Sequence, residues 1–258
     1  MAVLTYTIGL PDIVKSWAKE YNTTDFINQD PVQFPHKWEH KRDIEISAFI
    51  TSWLSYGNRK AIIQVSNQVN DLFIQAGTPF KFIDQFQRFK WENDKPLYRF
   101  YKWGDLRAIC EVLYRIYSDY VFMEDMVLDY SRDFPDSENK YLQAIIEYFR
   151  FYGKEVKGIP STSESACKRL SMFMRWMVRK DGIVDLGVWD RIDPKDLIIP
   201  LDTHVHQVAI ALDITQRKQA DMRTATEITN YFKGIFPEDP ALGDFALFGA
   251  GVNATPYK

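Results

Sequence analysis

Apolar residues recur at three- and four-residue intervals along almost the whole chain, and this periodicity constrains the fold more than any other feature. Tyr141, Ala144, Ile145, Tyr148, Phe149 and Tyr152 form one such stripe, which on a helix makes a single apolar face. Similar stripes run through about 12–27, 38–56, 58–76, 105–130, 163–180, 203–212, 221–234 and 239–250. Sustained alternation at period two, the mark of a half-buried strand, is missing. Short polar or Pro/Gly-bearing joints separate the stripes, as at Gly77-Thr78-Pro79 and Phe236–Pro240. The pattern predicts an all-α protein of about ten helices, with residues 1–258 forming a single compact unit. Apolar residues make up 46% and charged residues 26%, near the globular average, which sets disorder and coiled coil aside. No apolar run is long enough to span a bilayer, and no basic flank precedes an apolar stretch at the N-terminus. Two cysteines, Cys110 and Cys167, cannot build a disulfide framework or an iron–sulfur cluster. They fit a reducing compartment, and a cytoplasmic location with no membrane partner is expected.

Charge is polarised by segment. The net charge of −3 argues against a dedicated nucleic-acid binder. However, residues 81–107 sum to +3, residues 153–181 to +4 and residues 111–147 to −6. Each sum fits either solvated helix faces of mixed sign or a basic face on an acidic protein.

Two neighbouring segments carry candidate chemistry. Ser161 and Glu164 have the spacing of a capping box and predict a helix over 163–180. At 100° per residue Lys168, Arg175 and Arg179 fall within about 20° of one line, with Leu170, Phe173, Met174 and Met177 on the opposite side. This is either an exposed basic face or an amine set between two guanidinium groups. In the second case the neighbouring cations disfavour the ammonium form and leave more free amine as a nucleophile. After the apolar but broken connection 182–201, Asp202 stands where an N-cap would open the next helix. It is either a structural cap, supplying about 1 kcal/mol, or a carboxylate held ionised to act on a substrate. His204 and His206 lie about 200° apart on a helix, so they cannot share an ion, and no metal site is expected.

The strings Lys-Arg-Leu-Ser-Met-Phe-Met-Arg-Trp-Met (168–177) and Leu-Asp-Thr-His-Val-His-Gln-Val-Ala (201–209) resemble those of the helix-hairpin-helix DNA glycosylases. These include endonuclease III and the 8-oxoguanine glycosylases. The chain looks closest to an uncharacterised bacterial family within that superfamily, whose marks stand here at 48–58, 175–179, 185–189, 199–205 and 244–249. In the superfamily a lysine opens the helix after a glycine hairpin, and an aspartate caps a later helix. The hairpin Gly-x-Gly is absent here, where residues 163–167 read Ser-Glu-Ser-Ala-Cys. Lys168 and Asp202 are 34 residues apart, a spacing closer to the archaeal 8-oxoguanine glycosylases, which also lack the cluster cysteines.

The resemblance implies two helical lobes with a cleft between them. One lobe would hold about 40–180, and the other about 1–39 plus 195–258. It implies a base-excision glycosylase with lyase activity on double-stranded DNA carrying a damaged base, for instance an oxidised purine. The enzyme would act as a monomer without a cofactor or iron–sulfur cluster. Lys168 and Asp202 would be catalytic. Arg175, Arg179, Trp189, His204 and Asn58 would contact substrate or DNA, although Trp189 equally suits a core. Two other functions fit the same residues: a non-catalytic DNA-binding protein with this fold, or a helical protein binding a small molecule.

Overall fold

The computed structural model describes residues 9–153 and 156–254. They are mostly helical, in the order α1 (Leu10–Tyr21), α2 (Thr24–Gln29), α3 (Lys41–Leu54), α4 (Arg59–Ala76), α5 (Pro79–Gln85), α6 (Trp103–Asp119), α7 (Met123–Ser131), α8 (Lys140–Gly153), α9 (Lys168–Val178), α10 (Thr203–Ala211), α11 (Met222–Lys233) and α12 (Gly243–Ala254). A two-stranded antiparallel hairpin of β1 (Pro96–Tyr98) and β2 (Tyr101–Lys102) is the only sheet among the described residues.

Local chemistry sets most helix ends. Asn58 Oδ1 accepts from Ala61 N at 3.3 Å and opens α4, which stops where Gly77 adopts φ +98°, a conformation that costs glycine nothing. Thr78 Oγ1 then accepts from Lys81 N at 3.1 Å, with Pro79 at the first position of α5. Asp202 and Asp221 cap α10 and α11 in the same way.

At the centre α3 packs on α9. Every residue of α3 from Asp43 to Leu54 is buried, as is every residue of α9 from Leu170 to Val178. Phe49 meets Phe173 edge-on at 5.2 Å. On one side α8 packs on α6 and α7; elsewhere α1 and α10 both pack on α12. The two ends of the described chain therefore meet, with Tyr21 edge-on to Phe248 at 5.7 Å. Gly249 permits this approach, because a Cβ there would lie 2.2 Å from the Tyr21 ring. No helix is long and apolar enough to cross a membrane among the described residues.

Several boundaries differ from the sequence reading. The stripe at 12–27 divides at Asn22 and Thr23 into α1 and α2. The stripe at 105–130 divides at Tyr120, and α7 restarts where Asp125 accepts from Phe122 N at 2.8 Å. The helix expected from 163 begins at Lys168, after Cys167 in the left-handed region (φ +47°). Residues before it are claimed by tertiary pairing instead: Ser165 bridges to Asp221, and Met222 N donates to Glu164 O at 2.9 Å. The hairpin over 96–102 is too short to register as an alternating pattern. The connection 182–201 is ordered, with Val184, Trp189, Ile192, Leu197, Ile198, Ile199 and Leu201 buried. Of the expected single unit and its two parts, residues 1–8, 154–155 and 255–258 lie outside the described residues.

Candidate active site

A cavity of about 290 Å³ opens beside the first turns of α4, α9, α10 and α12. Its polar lining is Lys168, Asp202, His204, Asp244, Arg175, Arg59 and Asp30; Phe26, Met172, Phe245 and Phe248 supply apolar wall. Five of the polar groups, Arg59, Lys168, Asp202, His204 and Asp244, sit within two residues of an α-helix start, where side chains reach open space. Lys168 is the first residue of α9 and is half-buried. Asp202 caps α10, its Oδ1 accepting from Val205 N at 2.8 Å. Its other oxygen has no hydrogen-bond partner among the described residues. His204, on the first turn of α10, lies against Gly251, where a Cβ would stand 1.8 Å from Nε2. Arg59 opens α4, with its guanidinium over the Phe248 ring at 5.4 Å.

Asp244, like Arg59 and Asp30, is a member that sequence reasoning missed as a site residue. It lies in the first turn of α12, and Arg175 Nη1 donates to its Oδ2. Burial pushes its carboxyl up to about 6 against the attraction of Arg175. The Asp202 charge adds to the rise and Lys168 opposes it, so Asp244 is electrostatically coupled to both. An acid in the first turn of an apolar helix reads from sequence as a partner of the helix dipole; no spacing links it to residues 42 and 76 positions away. An amine, three carboxylates and an imidazole around a partly aromatic pocket supply a nucleophile with proton acceptors beside it.

A family described as a protein of unknown function, DUF2400, matches residues 30–253. The chain belongs to this family. No curated protein and no solved structure matches it.

Three of the expected substrate or DNA contacts stand apart from the cavity, and a fourth only partly faces it. Arg179 is 1% exposed and is surrounded by carboxylates: Asp239 at 2.9 Å, Asp181 at 2.8 Å, and Asp185. It cannot reach a DNA phosphate. Arg175 borders the cavity but is also buried, paired with Asp185 at 3.2 Å and with Asp244. Both guanidinium groups lie over the Phe245 ring. Arg175 and Arg179 of the stripe thus face carboxylates and are not free cations beside the amine. Trp189 is completely buried, edge-on to Phe173 at 5.4 Å, and its Nε1 donates to Glu45 Oε1 at 2.7 Å. It is core, not a partner for a base. Asn58 is exposed and spends its side chain on the α4 cap; its neighbour Arg59 lines the cavity instead.

Glu45 is buried in the middle of α3, and burial pushes its carboxyl up to about 7 against hydrogen bonds from Met123 N, Trp189 Nε1, Tyr117 Oη and Glu124 N. Those donors come from α6, α7 and the 182–201 connection, so it joins elements rather than serving the cavity. The histidines are dispersed: His36 Nε2 pairs with Val184 O at 2.7 Å and His206 Nε2 with Arg217 O at 2.8 Å. Among the described residues no three His, Cys, Asp or Glu side chains gather as a metal site would require.

Proposed function

We propose that the protein is a base-excision DNA glycosylase with lyase activity, acting on double-stranded DNA with a damaged base, an oxidised purine in the leading case. One observation carries this reading: Lys168 and Asp202, on different helices and 34 residues apart, line the same cavity. The packing of α1 on α12, away from the α6–α8 group, supports the arrangement in two lobes with the cavity between them. The cavity would receive a base flipped out of the duplex. Asp202 takes a proton from Lys168, and the free amine adds to C1′ of the sugar. The C1′–N bond to the base breaks, its electron pair leaves with the base, and the base takes up a proton. Loss of a second amine proton and opening of the sugar ring then give a C1′=N iminium, with O4′ protonated to a hydroxyl. Asp244, half-protonated near pH 6, provides a second place for these protons, and the carboxylates stabilise positive charge developing on the sugar.

Borohydride reduces that iminium to a stable amine, so trapping on lesion-bearing duplex tests the reading. Wild-type protein is expected to trap on at least one of a panel of oxidised, alkylated and deaminated bases. Lys168→Gln abolishes trapping while leaving DNA affinity nearly intact, because phosphate contacts are shared among several cations. Lys157→Gln and Lys180→Gln are run alongside. Trapping that survives Lys168→Gln and disappears with one of these would assign the nucleophile elsewhere. No trapping on any substrate would leave a non-catalytic DNA-binding protein.

A further inference from the structure

Parts of the two basic segments, far apart in the chain, meet on one surface, although Arg175 and Arg179 of the second are buried among carboxylates. Residues 81–107 contribute the β1–β2 hairpin, and residues 153–181 contribute the loop before α9. Lys154 and Glu155, which cancel in charge, lie outside the described residues. Lys157 Nζ donates to Phe100 O, while Arg169 donates to Tyr101 Oη, to Trp53 O at 2.9 Å and to Gly158 O at 2.7 Å. Gly158 has φ +89°, and a Cβ there would lie 2.0 Å from Tyr101 Oη, so only glycine lets the loop seat against the hairpin. The surface continues to the cavity: Gly57 holds the Arg99 guanidinium where a Cβ would stand 2.3 Å from Nη1, and Arg59 two residues on lines the cavity.

At the tip of this hairpin Phe100 is 70% exposed. One exposed apolar side chain is ordinary, but this one is held at a cost. Arg99 before it sits in the left-handed region at φ +52°, a strained conformation for a residue with a long side chain. The turn is fastened from beneath. Phe100 N donates to Tyr56 Oη at 3.1 Å, and Tyr98 Oη donates to Tyr56 O at 2.7 Å. The Tyr56 ring lies parallel to Phe100 at 6.5 Å, and Tyr101 stacks on Trp53 at 4.1 Å. Arg99 and Arg169 both lie over the Tyr56 ring, at 5.3 and 5.6 Å. Neither arginine, nor Arg59 or Lys168, has a carboxylate ion-pair partner among the described residues. On the same surface Lys102 pairs with Asp94 at 3.0 Å and Lys157 with Asp105 at 4.0 Å, and Arg107, Arg115, Arg132 and Arg150 are each paired within their own neighbourhood. A rigid aromatic tip beside Arg99, Arg169 and Arg59, none of them ion-paired among the described residues, has the composition of a surface that stacks a base while its cations follow a phosphate backbone.

We propose that the hairpin tip is a base-stacking platform, with Phe100 packing on an unpaired base of DNA and Arg99 contacting the adjoining phosphate. The proposal builds on the glycosylase reading in taking DNA as the partner, but it requires no chemistry at Lys168. It is therefore tested in the Lys168→Gln protein, which cannot form the imine. The probe is duplex carrying 2-aminopurine opposite an abasic position, with the fully paired duplex as control. Stacking on the ring quenches 2-aminopurine fluorescence, and anisotropy of a labelled strand gives affinity. Phe100→Ala is expected to abolish the quench and weaken binding of the unpaired probe about 5- to 100-fold, while paired duplex changes little. Phe100→Trp restores both. Arg99→Ala lowers the salt dependence of binding by roughly one phosphate contact.

An unchanged quench and affinity in Phe100→Ala overturns the proposal, as does absence of DNA binding in the parent protein. Equal losses on paired and unpaired probes also overturn it, since the ring would then serve general docking. Trapping by wild-type protein together with an inert Phe100 leaves the glycosylase reading standing and this one refuted. A Phe100-dependent quench without trapping does the reverse. Phe100 is exposed, so its loss leaves the core intact, and an unchanged melting temperature confirms folded variants.

Discussion

Replacing Arg179 by methionine separates a structural arginine from a DNA-contacting one. The substitution keeps an unbranched apolar stem over Phe245, to which the guanidinium lies at 5.2 Å, and removes only the charged fork. Breaking a buried ion pair from one side costs about 3–5 kcal/mol, because the remaining charge is left without a partner. The three carboxylates around Arg179 do not share that cost equally. Asp239 and Asp181 have side chains 28% and 19% exposed and can take up water. Asp185 is closed off at 0%, but Arg175 still pairs with it at 3.2 Å. The loss therefore falls near the lower end, about 3 kcal/mol. For a domain of this size that lowers the melting temperature by about 6–12 °C. The deficit also depends on pH. Burial already raises the Asp185 carboxyl against the pull of Arg175 and Arg179, and losing one arginine raises it further. A carboxyl raised in the folded state destabilises as pH rises through its folded value, so the deficit at pH 8 exceeds that at pH 5. Chemical denaturation at both pH values measures this directly. A variant with wild-type stability and diminished DNA affinity would show that Arg179 reaches a ligand, and the assignment would fall.

The buried Glu45 carboxyl, at about 7 in the folded protein against 4.5 as its ordinary value, binds its proton more tightly folded than unfolded. Its contribution therefore makes stability fall as pH rises from about 4.5 to about 7, by at most about 3 kcal/mol; denaturant midpoints across that range should lose this slope in Glu45→Gln, and identical slopes in both proteins would refute the burial argument. Trp189→Phe removes the indole donor to Glu45 Oε1, an expected cost of about 1–3 kcal/mol in stability. Because Trp189 lies in the core, the preference of any base-removal activity among lesions should not change. A shift in that preference with stability intact would return Trp189 to the substrate pocket.

Helix content and most helix positions are readable along the chain, because each rests on local chemistry; the choice of Lys168 and Asp202 as a pair rests on the resemblance to the glycosylases. Periodicity marks a face within one helix, and Asn58, Asp202 and Asp221 announce helix starts through bonds to residues three positions on. The direction in which a face points is not local. The stripe of Lys168, Arg175 and Arg179 was correctly placed on one side of α9, but α9 is buried all round from Leu170 onward. Arg175 and Arg179 therefore meet Asp181, Asp185, Asp239 and Asp244 rather than solvent. Those four acids come from a loop and from the far C-terminal region, and no spacing ties them to the arginines. Trp189 likewise went to the core because a carboxylate 144 positions away accepts its indole N–H. The helix expected at 163 was shortened because the Glu164–Ser165 backbone pairs with the start of α11. Asp244 and the Phe100 tip are wholly products of the tertiary fold. Burial beside Lys168 and Asp202 gives the one its raised carboxyl. The seating of the hairpin against Tyr56 and Arg169 gives the other its cations.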